Sequence, residues 1–472
     1  MLKKEAVSMG ILAAVMVPHP PLIVPEVGRG EEKKINDTII GFTKATELIA
    51  ELAPQTIVIF SPHSAYYSDY FHISPGNSAY GDLAKFGAGR VTFDVSYDSE
   101  FVSELEKRAH RENIEAGTMG EREKRLDHAT TVPLYFLKKA SGGVIPCKIV
   151  RIGLSGMPLE EHYRFGTLIK KTAEELGRDV CIIASGDLSH VLKREGPYGY
   201  RQEGPEYDKR IMDVMSRAAF GELFDFSDAF CERAAECGHR SFAIMAGCFD
   251  GLSVKAEMLS YEGPFGVGYG VCTFIPGGPD QARKFLLAKE MESEKKMDQL
   301  KKQESPYVRL ARETVERYVS SGKRIDVPEY FPEEALTRRA GTFVSLKKFG
   351  QLRGCIGTIS ATEENIAKEI IQNAISAAVR DPRFPPVTSS ELKDLVYSVD
   401  ILGETEDIDS PEELDVKKYG VIVSSGYKKG LLLPNLEGID SVDEQIWIAM
   451  QKAGIRKGER IRLQRFEVVR YH

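Results

Sequence analysis

The chain has 472 residues, 42% of them hydrophobic and 28% charged, with a net charge of -7 and a pI near 5.9. This is ordinary globular composition, and the length suits about two to four domains. It excludes a nucleic-acid protein that works by bulk charge, leaving only a local basic patch open, and no apolar run approaches the ~18 residues that span a bilayer.

In chain order, Lys3 and Lys4 precede "ILAAVMV", which superficially resembles a signal peptide. The run is short, ends in Pro-His-Pro-Pro and lacks a small-residue cleavage site, so it reads as a first core strand, Ile11–Val17. "KKINDTIIGFTKATELIAELAP" has helical spacing and stops at Pro54. Further strands are expected at Thr56–Phe60, Ile149–Leu154 and Val180–Ala184. Strand, helix, strand with crossovers of this length predicts an α/β N-terminal domain, a mostly parallel central sheet flanked by helices. "YEGPFGVGYGVC" lacks the strand–GxGxxG–helix order of a dinucleotide site and reads as a tight turn into a core strand.

"FIPGGPD", Phe274 to Asp280, breaks the pattern. The charged stretch after it reads as a solvated helix or linker. From Pro306 a smaller α+β C-terminal domain is expected: an amphipathic helix in "SPYVRLARETVERYVSSGK", a hairpin around Phe349-Gly350, a helix in "TEENIAKEIIQNAISAAVRD", then strands in "LVYSVDIL" and "GVIVSSGYKKGLLLPN". The expected division is residues 1–278, a charged linker at 279–305, and 306–472.

Seven cysteines without a CxxC pair are not a disulfide framework, and the plain reading is buried thiols in a reducing cytoplasm. The histidines are more informative. His19 and His63 each follow a proline at the end of an apolar strand, and neutral imidazole suits iron, zinc and copper. Either alone reads as a loop histidine; the repeated pattern points to a shared site. "ASGDLSH" adds His190, with Asp187 placed to orient an imidazole, and "RLDHATTVPLYF" adds His128 beside Asp127. "AAECGHRSFAIMAG" offers Glu236, Cys237 and His239. A carboxylate there completes two histidines and one carboxylate, as in oxygen-activating Fe(II) sites; a thiolate favours a softer metal. Tyr198, Glu203 and Asp208 read equally as pocket mouth or surface loop. His72, His110, His162 and His472 read as structural or surface groups. Arg353-Gly354-Cys355 reads as a turn exposing a thiol or, more plainly, a hairpin with a buried one.

On these residues, 10 to about 278 resemble the LigB-type class III extradiol dioxygenases and the related Memo family. The resemblance implies Fe(II) on His19 and His63 with a later glutamate, and catalytic histidines at His128 and His190. The third ligand stays ambiguous, because spacing from the next helix puts Cys237 in the ligand column, as in Memo proteins, with Glu236 one residue away. "LRGCIGTI", "DPRFPPV" and "YGVIVSSGYKKGLLLPN" resemble the AMMECR family. The fusion resembles the AmmeMemoRadiSam system protein A family, named for association with Memo-like and radical-SAM proteins.

Two functions are therefore expected. One is ring cleavage of a catechol-like substrate, with Fe(II) as the first-choice metal and zinc or copper as alternatives. The other is a metal-binding or redox partner of a radical-SAM protein, with the AMMECR-like domain as an interaction or RNA-binding module, the latter poorly supported by charge. Cytoplasmic location, no membrane partner, no general nucleic-acid partner and a homo-oligomer as an open option complete the expectations.

Overall fold

The computed structural model describes residues 10–436 and 438–472. The chain divides into two units, one ending at Glu292 and the other starting at Ser293.

The first unit is built on a six-stranded sheet. Its order is Lys148–Gly153, Thr56–Ser61, Val180–Ser185, Ile11–Val17, Tyr269–Pro279, Leu252–Glu262. The first four run parallel and the last two are antiparallel. Thr56–Ser61 and Val180–Ser185 are buried throughout, as continuous apolar strands covered on both faces must be. Their side chains alternate between two cores. Val58 and Phe60 pack with Phe101, Phe165 and Leu168 on one side; Ile57 and Ile59 pack with Phe42, Ile49 and Phe136 on the other. The helix Asn36–Leu52 supplies Phe42, which stacks on Phe136 of the helix His128–Ala140 with ring centroids 4.2 Å apart. Each such ring removes apolar surface worth about 2–3 kcal/mol from water.

The register places the loops of interest. Val17 lies opposite Ser185, and Phe60 opposite Ala184. Three adjacent parallel strands thus end level, and His19, His63 and Gly186–His190 all leave from those carboxyl ends, where open α/β sheets bind ligands.

One sequence expectation fails here. "FIPGGPD" does not end the pattern: the strand Tyr269–Pro279 runs through it. Phe274 still pairs with Ala14, but from Ile275 onward the strand's partners lie in Leu252–Glu262, with an irregular register between Pro276 and Pro279. Prolines are tolerated where a strand needs a partner on one side only. The charged stretch that follows forms a helix, Phe285–Gln303, with no buried residue, and the division between the units falls within it.

The second unit carries an antiparallel sheet in the order Gln351–Gly357, Thr342–Lys348, Leu395–Leu402, Arg462–Tyr471, Tyr419–Ser425, Lys428–Leu432. The helices Pro306–Ser321 and Ile366–Val379 cover one face. Gly354 permits this closeness, because a Cβ there would strike the Ala377 carbonyl. The first hairpin turns through Phe349 and Gly350, both at positive φ (52° and 78°), the pair of left-handed residues a two-residue turn requires. Cys355 therefore sits within a strand rather than a turn. It is half-buried, its N–H donates to Asp381 (2.9 Å), and the Ser345 hydroxyl donates to its sulfur (3.2 Å). The helix Val442–Ala453 carries the chain's one tryptophan, Trp447, 58% exposed. Among the described residues no helix is long and apolar enough to cross a membrane.

Candidate metal centre

His19 leaves the first strand between Pro18 and Pro20 and is 2% exposed. Its backbone N–H donates to the Asp187 carboxylate (2.8 Å), and its ring Nδ1 meets the Ser185 hydroxyl (3.0 Å). Asp187 thus anchors the backbone, while Ser185 orients the imidazole. That leaves Nε2 pointing outward, 3.1 Å from His63 Nε2 and 3.6 Å from Cys237 Sγ. Among the described residues, the ligand atoms of His19, His63 and Cys237 form the cluster of three lying within 4.8 Å of one another.

The two spacings from His19 Nε2, 3.1 and 3.6 Å, lie near those one ion requires. Tetrahedral zinc bonds of about 2.0–2.1 Å to nitrogen and about 2.3 Å to sulfur put donor atoms about 3.3–3.6 Å apart. Protonation agrees. Burial, then the charges of His63, His128 and His190, hold His19 well below the usual imidazole range. Burial also lowers His63, against the pull of Asp127. Both rings are therefore neutral, the form that ligates. Burial, with Asp187 and Glu236 nearby, pushes the Cys237 thiol up, so thiolate forms there in exchange for a cation.

Cys237 is held by the loop it faces. Its N–H donates to the Asp187 carbonyl (3.3 Å), and the Asp187 N–H donates to its sulfur (3.3 Å). Glu236 points elsewhere. Its carboxylate accepts the N–H of His239 (2.6 Å), the first residue of the helix His239–Gly247. Burial raises that carboxyl to about 7. His239 itself bonds to Tyr207 and the Leu223 carbonyl inside the core.

The other two histidines line the same space. His128 is the first residue of its helix, capped by Asp127, whose carboxylate accepts from Thr130 N–H. Its ring stacks on His63 at 4.2 Å. Burial and then the His63 charge lower it to about 4, so it is neutral near pH 7. His190 donates from Nδ1 to the Ala235 carbonyl (2.6 Å), which leaves Nε2 as the acceptor nitrogen. Tyr198 meets it edge-on at 5.3 Å. A cavity of about 760 Å³ opens over His19, His63, His128 and His190, walled by Phe86, Tyr198, Phe265 and Tyr269.

Behind the site lies a charge the sequence did not advertise. Arg151, 2% exposed, donates to Ser74 Oγ (2.7 Å), the Arg125 carbonyl (2.8 Å) and the Glu123 carbonyl (3.2 Å), and lies 3.7 Å from Asp127. Asp127 in turn accepts from Ser61 Oγ (2.6 Å), two residues before His63. One carboxylate thereby ties the His63 strand end to the His128 helix. Of the loop residues, Tyr198 reaches the cavity. Glu203 pairs with Arg233 (2.7 Å), and Asp208 is buried, accepting from Ser189 N–H and Tyr261 O–H. His162 is structural: Nδ1 donates to the Pro158 carbonyl and Nε2 accepts from Ser155 N–H.

With histidines converging beyond its strand ends, the α/β sheet has the setting of a ligand site, and the family comparison gives it an extradiol-dioxygenase-like or Memo-like fold. The family described as the catalytic LigB subunit of aromatic ring-opening dioxygenase matches residues 13–272, and AMMECR1 matches residues 308–472. The chain belongs to the LigB family, fused to an AMMECR1 domain. A Clostridium acetobutylicum protein is 43% identical over 473 residues, covering 98% of this chain and 99% of its own. A Thermotoga maritima protein is 53% identical over 170 residues, covering 36% of this chain and 98% of its own. A Pyrococcus horikoshii crystal structure matches with a TM-score of 0.33 at 33% identity, covering 35% of this chain and 88% of that one.

Proposed function

We propose that the first unit is a mononuclear metalloprotein of Memo-like character, with His19, His63 and Cys237 holding one transition-metal ion at the floor of the cavity, where a small molecule with adjacent oxygen donors binds for redox chemistry. The observation that carries this is the convergence of two imidazole nitrogens and one thiol sulfur, with the Glu236 carboxylate engaged by the His239 amide. Iron or copper bound there would supply one-electron chemistry and a Lewis-acidic position for substrate oxygen. The chain's own groups do the rest. His190, fixed by Ala235, presents Nε2 to accept a substrate proton, and neutral His128, lining the same cavity, is a second acceptor. Phe86, Tyr198, Phe265 and Tyr269 offer faces for a planar molecule and exclude water around it.

A second reading, Fe(II)-dependent ring cleavage of a catechol-like substrate, draws support from those two histidines lining the same cavity as the cluster. Metal per chain, measured on protein purified without oxygen, tests the first reading. One ion is expected in the wild type and in Glu236→Gln, and loss in His19→Ala, His63→Ala and Cys237→Ala. Metal retained in Cys237→Ala but lost in Glu236→Gln refutes the thiol set in favour of a carboxylate. Oxygen uptake with catechol then decides whether the loaded protein cleaves rings.

A further inference from the structure

The hairpin Tyr419–Ser425 and Lys428–Leu432 turns through Gly426 and Tyr427, and the Tyr427 side chain is 96% exposed. The loop around Arg456–Arg460 is tied to this turn. Glu459 accepts from Ser425 Oγ (3.3 Å), Lys428 Nζ (2.8 Å) and the Arg456 N–H (2.9 Å). In the sheet, Ser424 lies opposite Lys429 on one side and Arg462 on the other, and residues opposite one another share a face. Six cations therefore gather at this end of the second unit: Lys428, Lys429, Arg456, Lys457, Arg460 and Arg462. Two carboxylates answer them, Glu459 at Lys428 and Asp407 at Arg462 (3.5 Å). Lys429, Arg456, Lys457 and Arg460 are exposed, and among the described residues none of the four is in an ion pair. The chain as a whole carries -7, so this density is local and does not follow from composition.

We propose that this end of the second unit binds single-stranded nucleic acid, with Tyr427 stacking on a base and the surrounding cations contacting phosphates. A ring presented alone between lysines and arginines supplies the two parts such binding needs, a π-face and a backbone-tracking charge. Within the turn itself Tyr427 is flanked by Ser425, Gly426 and Lys428, which offer no apolar side chain to insert into a bilayer. An acidic protein partner would use the charge but has no need of the exposed ring.

The test is fluorescence anisotropy of a labelled 15-nucleotide oligouridylate with the full chain. Binding is expected at 50 mM salt. With about four unpaired cations engaged on a single strand, affinity should fall roughly fiftyfold by 200 mM. Tyr427→Ala should weaken binding about 5- to 100-fold. Lys429→Glu with Arg460→Glu should flatten the salt dependence; all three positions are exposed, so the fold is kept. The proposal is overturned by no oligonucleotide binding at 50 mM salt, by equal affinity in Tyr427→Ala, or by stronger binding of phosphatidylserine-containing vesicles or polyglutamate than of the oligonucleotide.

Discussion

Replacing Gly186 by alanine tests the geometry of the cluster without touching a ligand. Gly186 follows Ser185 at the strand end and packs directly on Gly238, the residue after Cys237. A Cβ at Gly186 would fall inside contact distance of Gly238 Cα and 3.1 Å from its N. Carbon atoms rest at about 3.5–4.0 Å, so the two loops must part by on the order of 1 Å. Neither obstacle is a flexible side-chain end; both are backbone. The loop that retreats carries Cys237, whose sulfur now lies 3.6 Å from His19 Nε2. Metal bonds tolerate about 0.2 Å, so a shift of this size removes the sulfur from the donor set. The folding cost of such overpacking is about 1–3 kcal/mol. The loss of metal affinity should reach about 100-fold, the upper range for changes just outside the ligands. Titration of Co(II) or Zn(II) against a competing chelator measures it, with circular dichroism checking the fold. Gly278→Ala is the control, since a Cβ there meets nothing within 4 Å. Gly186→Ala binding metal within about threefold of wild type would refute the account.

Arg151→Met should destabilise the first unit by about 3–5 kcal/mol, because it strands Glu121 and Asp127 beside a buried site with their cation gone; the urea midpoint followed by circular dichroism reads this, and an unchanged midpoint contradicts it. In the second unit, hydrogen bonds from Arg383 bring Asp381 to about 2, against burial. An unfolded aspartate titrates near 3.9, so between about pH 4 and pH 2 the unfolded chain binds the extra proton. The Asp381 contribution is therefore whole above about pH 4 and disappears as pH falls through 2. Urea midpoints read by Trp447 emission from pH 5 to pH 2 should show a slope that Asp381→Asn reduces; equal slopes would remove Asp381 from the account.

Two of the strand ends were legible because the chain announces them: an apolar run, Ile11–Val17 or Ile57–Phe60, and soon after it proline and histidine. What sequence could not rank was Glu236 against Cys237. Adjacent residues point different ways, and which side chain faces His19 and which accepts the His239 N–H is a matter of backbone geometry and not composition. Ser185 and Arg151 were passed over for a related reason. Ser185 meets a histidine 166 positions away, and Arg151 reads as one more charge at the edge of a strand until the sheet buries it. The prolines of "FIPGGPD" misled because proline forbids a strand only where a neighbouring strand needs its N–H, and that depends on the sheet's extent.

Trp447 gives the two halves of the chain separate optical labels. Tryptophan emission arises wholly in the second unit, whereas absorption from a thiolate–metal bond at Cys237 would arise wholly in the first. Loading the metal while watching the emission therefore records, in one cuvette, whether the first half signals to the second.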